Sequence, residues 1–350
     1  MLYNSENLHG GDIYEGNIEL DFSANTNPFG MPEGVKRAVV RALENAAHYP
    51  DPYCRKLVSA IAEHENVPKE YVLCGAGAAE LIYAFAHSER PGSVLELAPT
   101  FAEYSLPAEG ALIVRHFLSE ENDFRLTPSV LRQIEETKPD AVFICDPNNP
   151  TGLTADAELI EETARLCERL GIRLFIDECF MDLADENKSF VPRLSHYPNA
   201  VVLKAFTKSF GMAGIRLGYC LTADRGLLAR MSRQTQQWNV SVPAQEAGAA
   251  ALKETEFLEK TRKLIRAERE RLSASLMNMG FIVFPSEVNY LLFKGEAGLC
   301  EKLFEKGVKI RDCSNYHGLG EGFYRIAVKL PEENERLIKA VSEVLQWQKT

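Results

Sequence analysis

The sequence predicts an α/β protein: a large domain in which helices flank a mostly parallel seven-stranded sheet, joined to a smaller α+β domain. Three observations predict this fold. Seven apolar runs of strand length alternate with longer amphipathic stretches, and after residue 280 this alternation gives way to short strands and a closing helix. The chain also has 350 residues, 45% of them hydrophobic, which is enough for one large core and a smaller one. Alternating strands and helices are typical of a parallel sheet covered by helices.

The large domain is predicted to span residues 46–271. Its strands are expected in the runs YVLC, VLEL, LIVRHF, AVFIC, RLFID, AVVLKAF and RLGYCL. The segments between them, such as ADAELIEETARLCERLG, have the apolar spacing of amphipathic helices. From about Ala244 one long helical pattern is expected to run to Gly280, a residue that is typical of helix ends.

The smaller domain is predicted to combine residues 1–45 with residues 272–350. Its strands are expected in the runs FIVF, VNYLLF, VKIRD and FYRIAVK, followed by the helix EENERLIKAVSEVLQW. The first forty or so residues are irregular apart from a helix after Pro32, and we expect them to pack on the C-terminal unit.

Composition argues against several classes of partner. The formal net charge is −11 and no run of Lys and Arg stands out, so nucleic acid and membrane surfaces are not expected to bind. The N-terminus lacks the layout of a signal peptide and no run of eighteen apolar residues occurs, so a cytoplasmic protein is expected. The eight cysteines show neither CxxC nor zinc spacing, which predicts small buried side chains and no metal site.

The segment YVLCGAGAAELIYAF (71–85) is predicted to form a strand, a glycine turn and a helix. Such a turn offers backbone N–H groups and the positive end of a helix dipole to a phosphate. Glu80 breaks the G-x-G-x-x-G/A dinucleotide pattern, so a plain helix-entry turn is an open alternative. A nicotinamide dehydrogenase would use this turn with Glu96, but it would leave unexplained three polar residues described next, Asn149, Asp177 and Lys208.

Three further segments place polar residues where strands are predicted to end. DPNNPTG contains Asn149, although Asn, Pro and Gly are also ordinary turn formers. LFIDECF delivers Asp177 at the edge of the sheet where α/β proteins bind ligands. FTKSFGMAGIRLGY places Lys208 eight positions before Arg216. This lysine is either a surface residue or, when desolvated, a neutral amine able to form a Schiff base.

The order of these features points to one cofactor. The glycine turn, Asn149, Asp177, Lys208 and Arg216 follow one another, each expected at or just after the C-terminal end of a strand. A cofactor with a phosphate, a ring hydroxyl, a basic ring nitrogen and an aldehyde needs this set of partners. Pyridoxal 5′-phosphate has these groups.

With DPNNPTG, IDE and T-K-(x)7-R-L-G-Y in this order and spacing, the chain resembles the fold-type-I pyridoxal-phosphate enzymes of aminotransferase class I/II over nearly its whole length. The resemblance implies the fold of the pyridoxal-phosphate-dependent transferases. It implies that Lys208 binds the cofactor aldehyde and later moves protons, while Asp177 keeps the pyridine nitrogen protonated. The other implied cofactor contacts are Gly77, Ala78, Ala79 and Arg216 with the phosphate, Phe101 with the ring face, and Asn149 with the phenolic oxygen.

The resemblance also implies a homodimer with shared active sites, in which Tyr49 reaches the phosphate from the neighbouring subunit. Two positions depart from the family pattern. Ala205 stands where relatives often carry a phosphate-binding Ser or Thr, a loss that Thr207 is expected to cover. Phe180 stands where relatives often carry a tyrosine that bonds the phenolic oxygen.

Two branches of this family act on phosphorylated substrates: histidinol-phosphate aminotransferases and threonine-phosphate decarboxylases. The segments HGGD, DFSANTNPFG, DECFMDL and IRDCSNYHGLGEGFYRIAVK resemble the decarboxylase branch more closely. The resemblance therefore implies decarboxylation of O-phospho-L-threonine to (R)-1-amino-2-propanol phosphate in cobalamin biosynthesis. Amino transfer to 2-oxoglutarate and a phosphoserine decarboxylase stay open as alternatives.

The expected substrate is a small phosphorylated amino acid with two anionic groups to bind. Arg325 matches the family arginine that grips the α-carboxylate, while His9 and Arg311 are candidates for a second anion pocket. Both candidates have plainer alternatives, since His9 could be solvated and Arg311 could pair with Asp312. The full set of expected substrate residues is His9, Asn25, Asn149, Arg311 and Arg325.

Overall fold

The computed structural model describes residues 9–14 and 16–347. The described residues form thirteen strands: β1 (Leu20–Asp21), β2 (Val72–Gly75), β3 (Ser93–Ala98), β4 (Leu112–Phe117), β5 (Ala141–Cys145), β6 (Arg173–Asp177), β7 (Ala200–Ala205), β8 (Gly218–Leu221), β9 (Ile282–Val283), β10 (Tyr290–Lys294), β11 (Val308–Lys309), β12 (Arg311–Asp312) and β13 (Phe323–Ala327). They form eleven α-helices: α1 (Glu33–Ala42), α2 (Arg55–Glu65), α3 (Ala78–Glu89), α4 (Ser129–Thr137), α5 (Ala157–Leu170), α6 (Phe206–Ser209), α7 (Arg225–Ser232), α8 (Val242–Ala251), α9 (Thr255–Asn278), α10 (Leu299–Phe304) and α11 (Pro331–Trp347).

The central sheet has seven strands in the order β2-β8-β7-β6-β5-β3-β4. Neighbouring strands are parallel except where β8 pairs with β2 and β7. The predicted seven-stranded, mostly parallel sheet is therefore confirmed. Every residue of β5 and β7 is buried. Strands with no exposed face are expected where helices cover both sides of a sheet.

Two hydrophobic clusters lie on the two faces of this sheet, because alternate residues of each strand point to opposite sides. Val142 and Ile144 of β5 belong to the cluster with α2, α4, α5 and α8. Ala141, Phe143 and Cys145 belong to the cluster with α3 and α7. The sheet thus forms the middle layer of a three-layer domain, and the loops at its carboxyl edge are left to form a site.

The strand register brings the predicted site residues to that carboxyl edge. Cys145 of β5 lies opposite Asp177 of β6, which lies opposite Leu203 of β7. Arg216 corrects one expectation, since it precedes β8 instead of following a strand end. Because β8 runs antiparallel to β7, its first residue is at the carboxyl edge of the parallel strands and Arg216 reaches the same place.

The C-terminal strands form a second, antiparallel sheet in the order β12-β13-β10-β9. β1 pairs in parallel with β11, and Leu20 and Phe22 share a hydrophobic cluster with residues of α9, β10, β13 and α11. The expectation that the N-terminal segment packs on the C-terminal unit is confirmed for these residues. The domain division at residues 46 and 271 stays a prediction, and parts of it (1–8, 15 and 348–350) lie outside the described residues.

The prediction of one helix from about Ala244 to Gly280 was wrong. The structure has two helices there, α8 and α9. Ser241 Oγ accepts a hydrogen bond from the Ala244 N–H and so fixes the start of α8. Between the helices Glu254 has φ −91° and ψ 51°, outside the helical region. No Gly or Pro occurs in the break, which is why the apolar pattern did not reveal it.

Seven of the eight cysteines are buried and Cys300 is half-buried, which confirms the expected small packed side chains. Among the residues that the structure describes, no group of three or more metal-ligating side chains comes together. Within the same residues, no helix has both the length and the apolar character needed to cross a bilayer. A cytoplasmic location stays a prediction.

Candidate active site

Lys208 lies on α6, a single helical turn that directly follows β7. Its side chain is partly buried, and Nζ lies 5.5 Å from the centroid of the Phe180 ring. Burial lowers the pKa of Lys208 to about 8, and the positive charges of Arg325 and Arg216 act in the same direction. Lys208 is therefore not a solvated surface lysine. Near pH 8 the Lys208 amine is therefore neutral and nucleophilic in a sizeable fraction of the molecules.

Asp177 is the last residue of β6, and its carboxylate is buried. Oδ2 accepts a hydrogen bond of 2.8 Å from the Tyr104 hydroxyl, and Oδ1 accepts one of 2.9 Å from the Cys179 N–H. Burial raises the pKa of the Asp177 carboxyl. Both hydrogen-bond donors are uncharged, so a cation beside this carboxylate would relieve the cost of its burial.

The glycine turn sits between β2 and α3. Gly77 has φ +97°, and a Cβ built at this position would lie 2.7 Å from Nη2 of Arg216. The Arg216 guanidinium therefore rests against the glycine at the first residues of α3, Ala78 and Ala79. Backbone N–H groups in the first turn of a helix have no partner within the helix, so this corner combines free donors with a cation.

Glu80, which broke the dinucleotide pattern, has a structural role in the same turn. Its Oε2 accepts hydrogen bonds from the Ala76 N–H at 2.6 Å and from Asn239 Nδ2 at 2.5 Å. The carboxylate thus ties the turn to the segment that precedes α8. This contact explains a residue that the dinucleotide pattern could not accommodate.

Arg325 lies on β13 and is buried among polar groups from three parts of the chain. Nη1 donates to Asn149 Oδ1 and Nη2 donates to the Ser23 carbonyl at 2.8 Å. With its amide oxygen turned toward the guanidinium, Asn25 accepts from Arg325 Nε at 3.1 Å. The guanidinium carbon also lies 5.5 Å from the centroid of the Tyr290 ring. These contacts gather Arg325, Asn149 and Asn25 at one point.

His9 and Phe101 lie together. His9 Nε2 is 2.5 Å from Glu103 Oε1, and its ring centroid is 5.3 Å from that of Phe101. Phe101 in turn lies 5.7 Å from the Tyr104 ring. A carboxylate and an aromatic ring thus contact the imidazole, while 35% of the His9 side chain is exposed. The substrate role of His9 stays a prediction.

Arg311 lies on β12 and is buried. Nη1 donates to the backbone carbonyl of Asp312, and Nη2 donates to Asn315 Oδ1 at 2.8 Å. The contact with Asp312 thus uses its main chain and not the carboxylate that the sequence suggested as a partner. Arg311 and Phe101 border a pocket of about 260 Å³, whose other lining residues include Thr100, Arg115, Tyr316 and His317.

Two predicted site residues have fewer visible contacts. Thr207 is partly buried on α6, one residue before Lys208. Tyr49 is 79% exposed, and its ring centroid is 4.8 Å from that of Trp238. Trp238 is followed by Asn239, which donates a hydrogen bond to Glu80 in the glycine turn. Tyr49 therefore lies on the surface close to this turn.

Sequence reasoning missed Tyr104, Arg115 and Tyr290. Tyr104 could have been found, because it lies in the segment TFAEY only three residues after Phe101, which the sequence already indicated as a site residue. Arg115 is a charged residue within the apolar run LIVRHF and forms a 3.0 Å ion pair with Glu96. Tyr290 gave no signal, because it is one apolar residue of a buried strand.

The residues present fit pyridoxal phosphate. A lysine of lowered pKa suits the aldehyde, and a buried carboxylate with only neutral hydrogen-bond donors suits a protonated ring nitrogen. The close approach of Arg216 to Gly77 leaves no room for a Cβ, and such a glycine lets backbone amides approach a phosphate. The chemistry of this donor set agrees with the aldehyde, the ring nitrogen and the phosphate of the cofactor.

Comparisons with known proteins match nearly the whole chain. The profile of the family described as aminotransferase class I and II matches residues 17–341. A threonine-phosphate decarboxylase of Salmonella typhimurium is 37% identical, over 98% of this chain and 98% of its own length. Histidinol-phosphate aminotransferase 2 of Archaeoglobus fulgidus is 34% identical, over 93% of each chain. The crystal structure of a histidinol-phosphate aminotransferase from Clostridium acetobutylicum superposes with a TM-score of 0.87 at 29% identity, covering 93% of this chain and 99% of that one.

Proposed function

The chain belongs to the aminotransferase class I and II family and depends on pyridoxal 5′-phosphate, and on this premise we propose that it decarboxylates O-phospho-L-threonine. The product would be (R)-1-amino-2-propanol phosphate, an intermediate of cobalamin biosynthesis. The likeness to threonine-phosphate decarboxylase over both full lengths supports the choice of reaction. A separate observation in the structure supports a substrate with two anionic groups.

That observation is the pairing of Arg311 with Arg325. They are direct cross-strand partners on β12 and β13, and both are buried. Side chains of directly opposed residues lie on the same face of a sheet, and two like charges there destabilise each other. A ligand with two negative groups would relieve this repulsion. O-phospho-L-threonine has both a carboxylate and a phosphate. In the alternative reaction histidinol phosphate has the phosphate alone, and only its co-substrate 2-oxoglutarate has two anionic groups.

Each residue has a distinct task in this proposal. Bound in the cleft, pyridoxal phosphate supplies an aldehyde that condenses with amines and a ring that withdraws electrons from the substrate Cα. The Asp177 carboxylate would stabilise the positive charge of the protonated ring nitrogen. The neutral amine of Lys208 would accept protons and return them to the substrate. Arg325 binds the carboxylate through a planar fork and so fixes the direction of the bond from Cα to the carboxylate carbon.

Amino transfer is the second candidate function. The similarity of this chain to histidinol-phosphate aminotransferases favours it. In amino transfer Lys208 would remove a proton from Cα, whereas in decarboxylation it would donate a proton to Cα after CO2 has left. The two reactions differ in which bond at Cα is held perpendicular to the ring. That angle depends on how Arg311 and Arg325 share the two anionic ends of the substrate.

We further propose a homodimer in which two chains share their active sites. Tyr49, Tyr53 and Trp238 are exposed aromatic side chains. Two of them, Tyr49 and Trp238, are in ring contact beside the glycine turn. Exposed aromatic patches mark interaction surfaces. A second copy seated there would cover these rings and place Tyr49 near the phosphate corner of its partner.

The reaction is tested with carboxyl-labelled O-phospho-L-threonine and the cofactor-loaded protein. Labelled CO2 and 1-amino-2-propanol phosphate are expected, and Lys208→Ala should release none. Glutamate formed from histidinol phosphate and 2-oxoglutarate, without any release of CO2 from phosphothreonine, would overturn the proposal in favour of amino transfer. O-phospho-L-serine tests the size of the pocket, since one methyl group is worth only about 1–3 kcal/mol.

The paired arginines are tested by Arg311→Gln. The variant should bind O-phospho-L-threonine at least about tenfold more weakly, since a buried hydrogen bond to a charged group is worth about 1.5–3 kcal/mol. The matched control is Arg336→Gln on α11, which removes an exposed arginine that pairs with Glu19. An unchanged KM in the Arg311 variant would show that the second anionic group binds elsewhere.

A further inference from the structure

We propose that Tyr104 is a positioning residue that holds the Asp177 carboxylate in the orientation and charge needed by a cationic ring nitrogen. The inference rests on the cofactor and the buried carboxylate, and not on which reaction follows. Tyr104 lies in the loop after β3, three residues beyond Phe101. One segment would thus provide both the ring stacked on the cofactor and the group that orients its carboxylate partner.

The Tyr104 side chain is fixed by its surroundings. It is fully buried, and its ring stacks on Phe143 with centroids 5.4 Å apart and an interplanar angle of 18°. The hydroxyl lies 2.8 Å from Asp177 Oδ2. A phenol held in this way fixes the position of Oδ2, and the Cys179 N–H holds Oδ1, so the two donors together orient the carboxylate.

Burial and the hydrogen bond act on the pKa of both groups. Burial and the adjacent Asp177 carboxylate raise the pKa of Tyr104 well above its usual range, so the phenol remains a donor. The hydrogen bond from Tyr104 lowers the pKa of Asp177, in opposition to the larger effect of burial. One neutral donor on each oxygen stabilises the anion while leaving its negative charge available for a cation in the cleft.

Tyr104→Phe removes this hydroxyl and keeps the stacked ring. The apparent dissociation constant of pyridoxal phosphate, measured by equilibrium dialysis with the apoprotein, should rise about tenfold, as expected for loss of a hydrogen bond to a charged group. Tyr219→Phe is the matched control, because Tyr219 is a buried tyrosine whose hydroxyl donates to a different carboxylate, that of Glu65. The control should change this constant less than about twofold.

A cofactor analogue separates positioning from general packing. In the analogue a C–H group replaces the ring nitrogen, so Asp177 has no cation to bind. Tyr104→Phe should then weaken binding no more than Tyr219→Phe does. Equal losses for the cofactor and its analogue, or no loss with the cofactor, would overturn the proposal. Thermal unfolding of the apoproteins verifies that both variants fold, and failure of the decarboxylase assay would leave this result unaffected.

Discussion

Lys208 shows how the surroundings of one residue set its chemistry. Its sequence neighbours are a threonine and a serine, which suggest nothing unusual. The structure adds burial and two arginines, one from β13 and one from just before β8, and together they lower the pKa of Lys208. The sequence supplied the identity of the reactive residue through a motif. It could not supply the contribution of Arg325, which lies more than a hundred positions away in the chain.

A pH profile tests this interpretation. The neutral amine is the reactive form, so the rate constant for pyridoxal phosphate binding by the apoprotein should rise with pH and level off above about 8. Arg325→Gln removes a positive charge that disfavours the protonated amine, so the midpoint should move to higher pH. Stopped-flow absorbance measures the rate. Arg230→Gln on α7, which removes an ion pair with Glu89, is the control and should leave the midpoint in place.

The neighbouring carboxyl groups of Asp177 and Glu178 have different environments. Asp177 is oriented by Tyr104, whereas Glu178 accepts hydrogen bonds of 2.6 Å from both Ser189 Oγ and the Phe190 N–H. Burial raises the pKa of Glu178 to about 7, although the buried Lys204 acts against this shift. Sequence reasoning could place both acids at the strand end. It could not assign one to the cleft and the other to the protein interior.

The pKa of Glu178 predicts a pH dependence of stability. Between the unfolded value of 4.5 and the folded value of about 7, the native state holds a proton that the unfolded state has lost. The contribution of Glu178 to the free energy of unfolding should therefore fall as pH rises through this window, by at most about 3 kcal/mol. Glu178→Gln cannot ionise and should lack this decline. Urea unfolding of both apoproteins at pH 5 and pH 8 measures it, and parallel pH curves would contradict the assignment.

At the scale of elements, local patterns predicted what local physics determines. AVFIC and RLFID coincide with β5 and β6, because near-continuous burial in a parallel sheet leaves a continuous apolar run. LIVRHF coincides with β4, an edge strand that is only partly buried. The break between α8 and α9 was missed, since no helix-breaking residue causes it. The contact of Arg325 with Asn149 joins residues 176 positions apart, so it follows from how β13 packs and not from any periodicity.

The turn between β2 and α3 provides a prediction at this scale. Gly77→Ala would place a methyl group 2.7 Å from Arg216 Nη2 and would strain a backbone with φ +97°. We expect the dissociation constant of pyridoxal phosphate to rise at least about tenfold, because strain of this kind costs about 1–3 kcal/mol and the guanidinium must also move. Equilibrium dialysis measures the constant.

Gly30→Ala is the matched control for this turn. Gly30 also has positive φ, +69°, but a Cβ there would meet nothing within 4 Å. The control should lose stability through backbone strain and retain its affinity for the cofactor. If both variants lose affinity equally, backbone strain alone explains the effect and Arg216 is not part of the phosphate corner.

The whole molecule brings together residues from every part of the chain. Ser23 and Asn25 from the N-terminal segment, Asn149 from the central sheet and Arg325 from the C-terminal sheet meet at one guanidinium. A site of this kind forms only when both sheets are folded and docked. We therefore expect the geometry of the substrate pocket to depend on how the two sheets dock against each other. The positions of the cofactor residues should depend mainly on the central sheet.

The proposed homodimer gives a prediction for the whole assembly. If Tyr49 completes the partner's site, then Lys208→Ala and Tyr49→Ala homodimers should each be impaired, while a mixed dimer has one site with both native residues. Random exchange makes half of the dimers mixed, and each has one of two sites intact, so about a quarter of wild-type activity should return. Activity is measured after denaturing and refolding the two variants together. Recovery that does not exceed the sum of the separately refolded variants would mean that each chain holds a complete site of its own, and the exposed ring pair of Tyr49 and Trp238 would need another explanation.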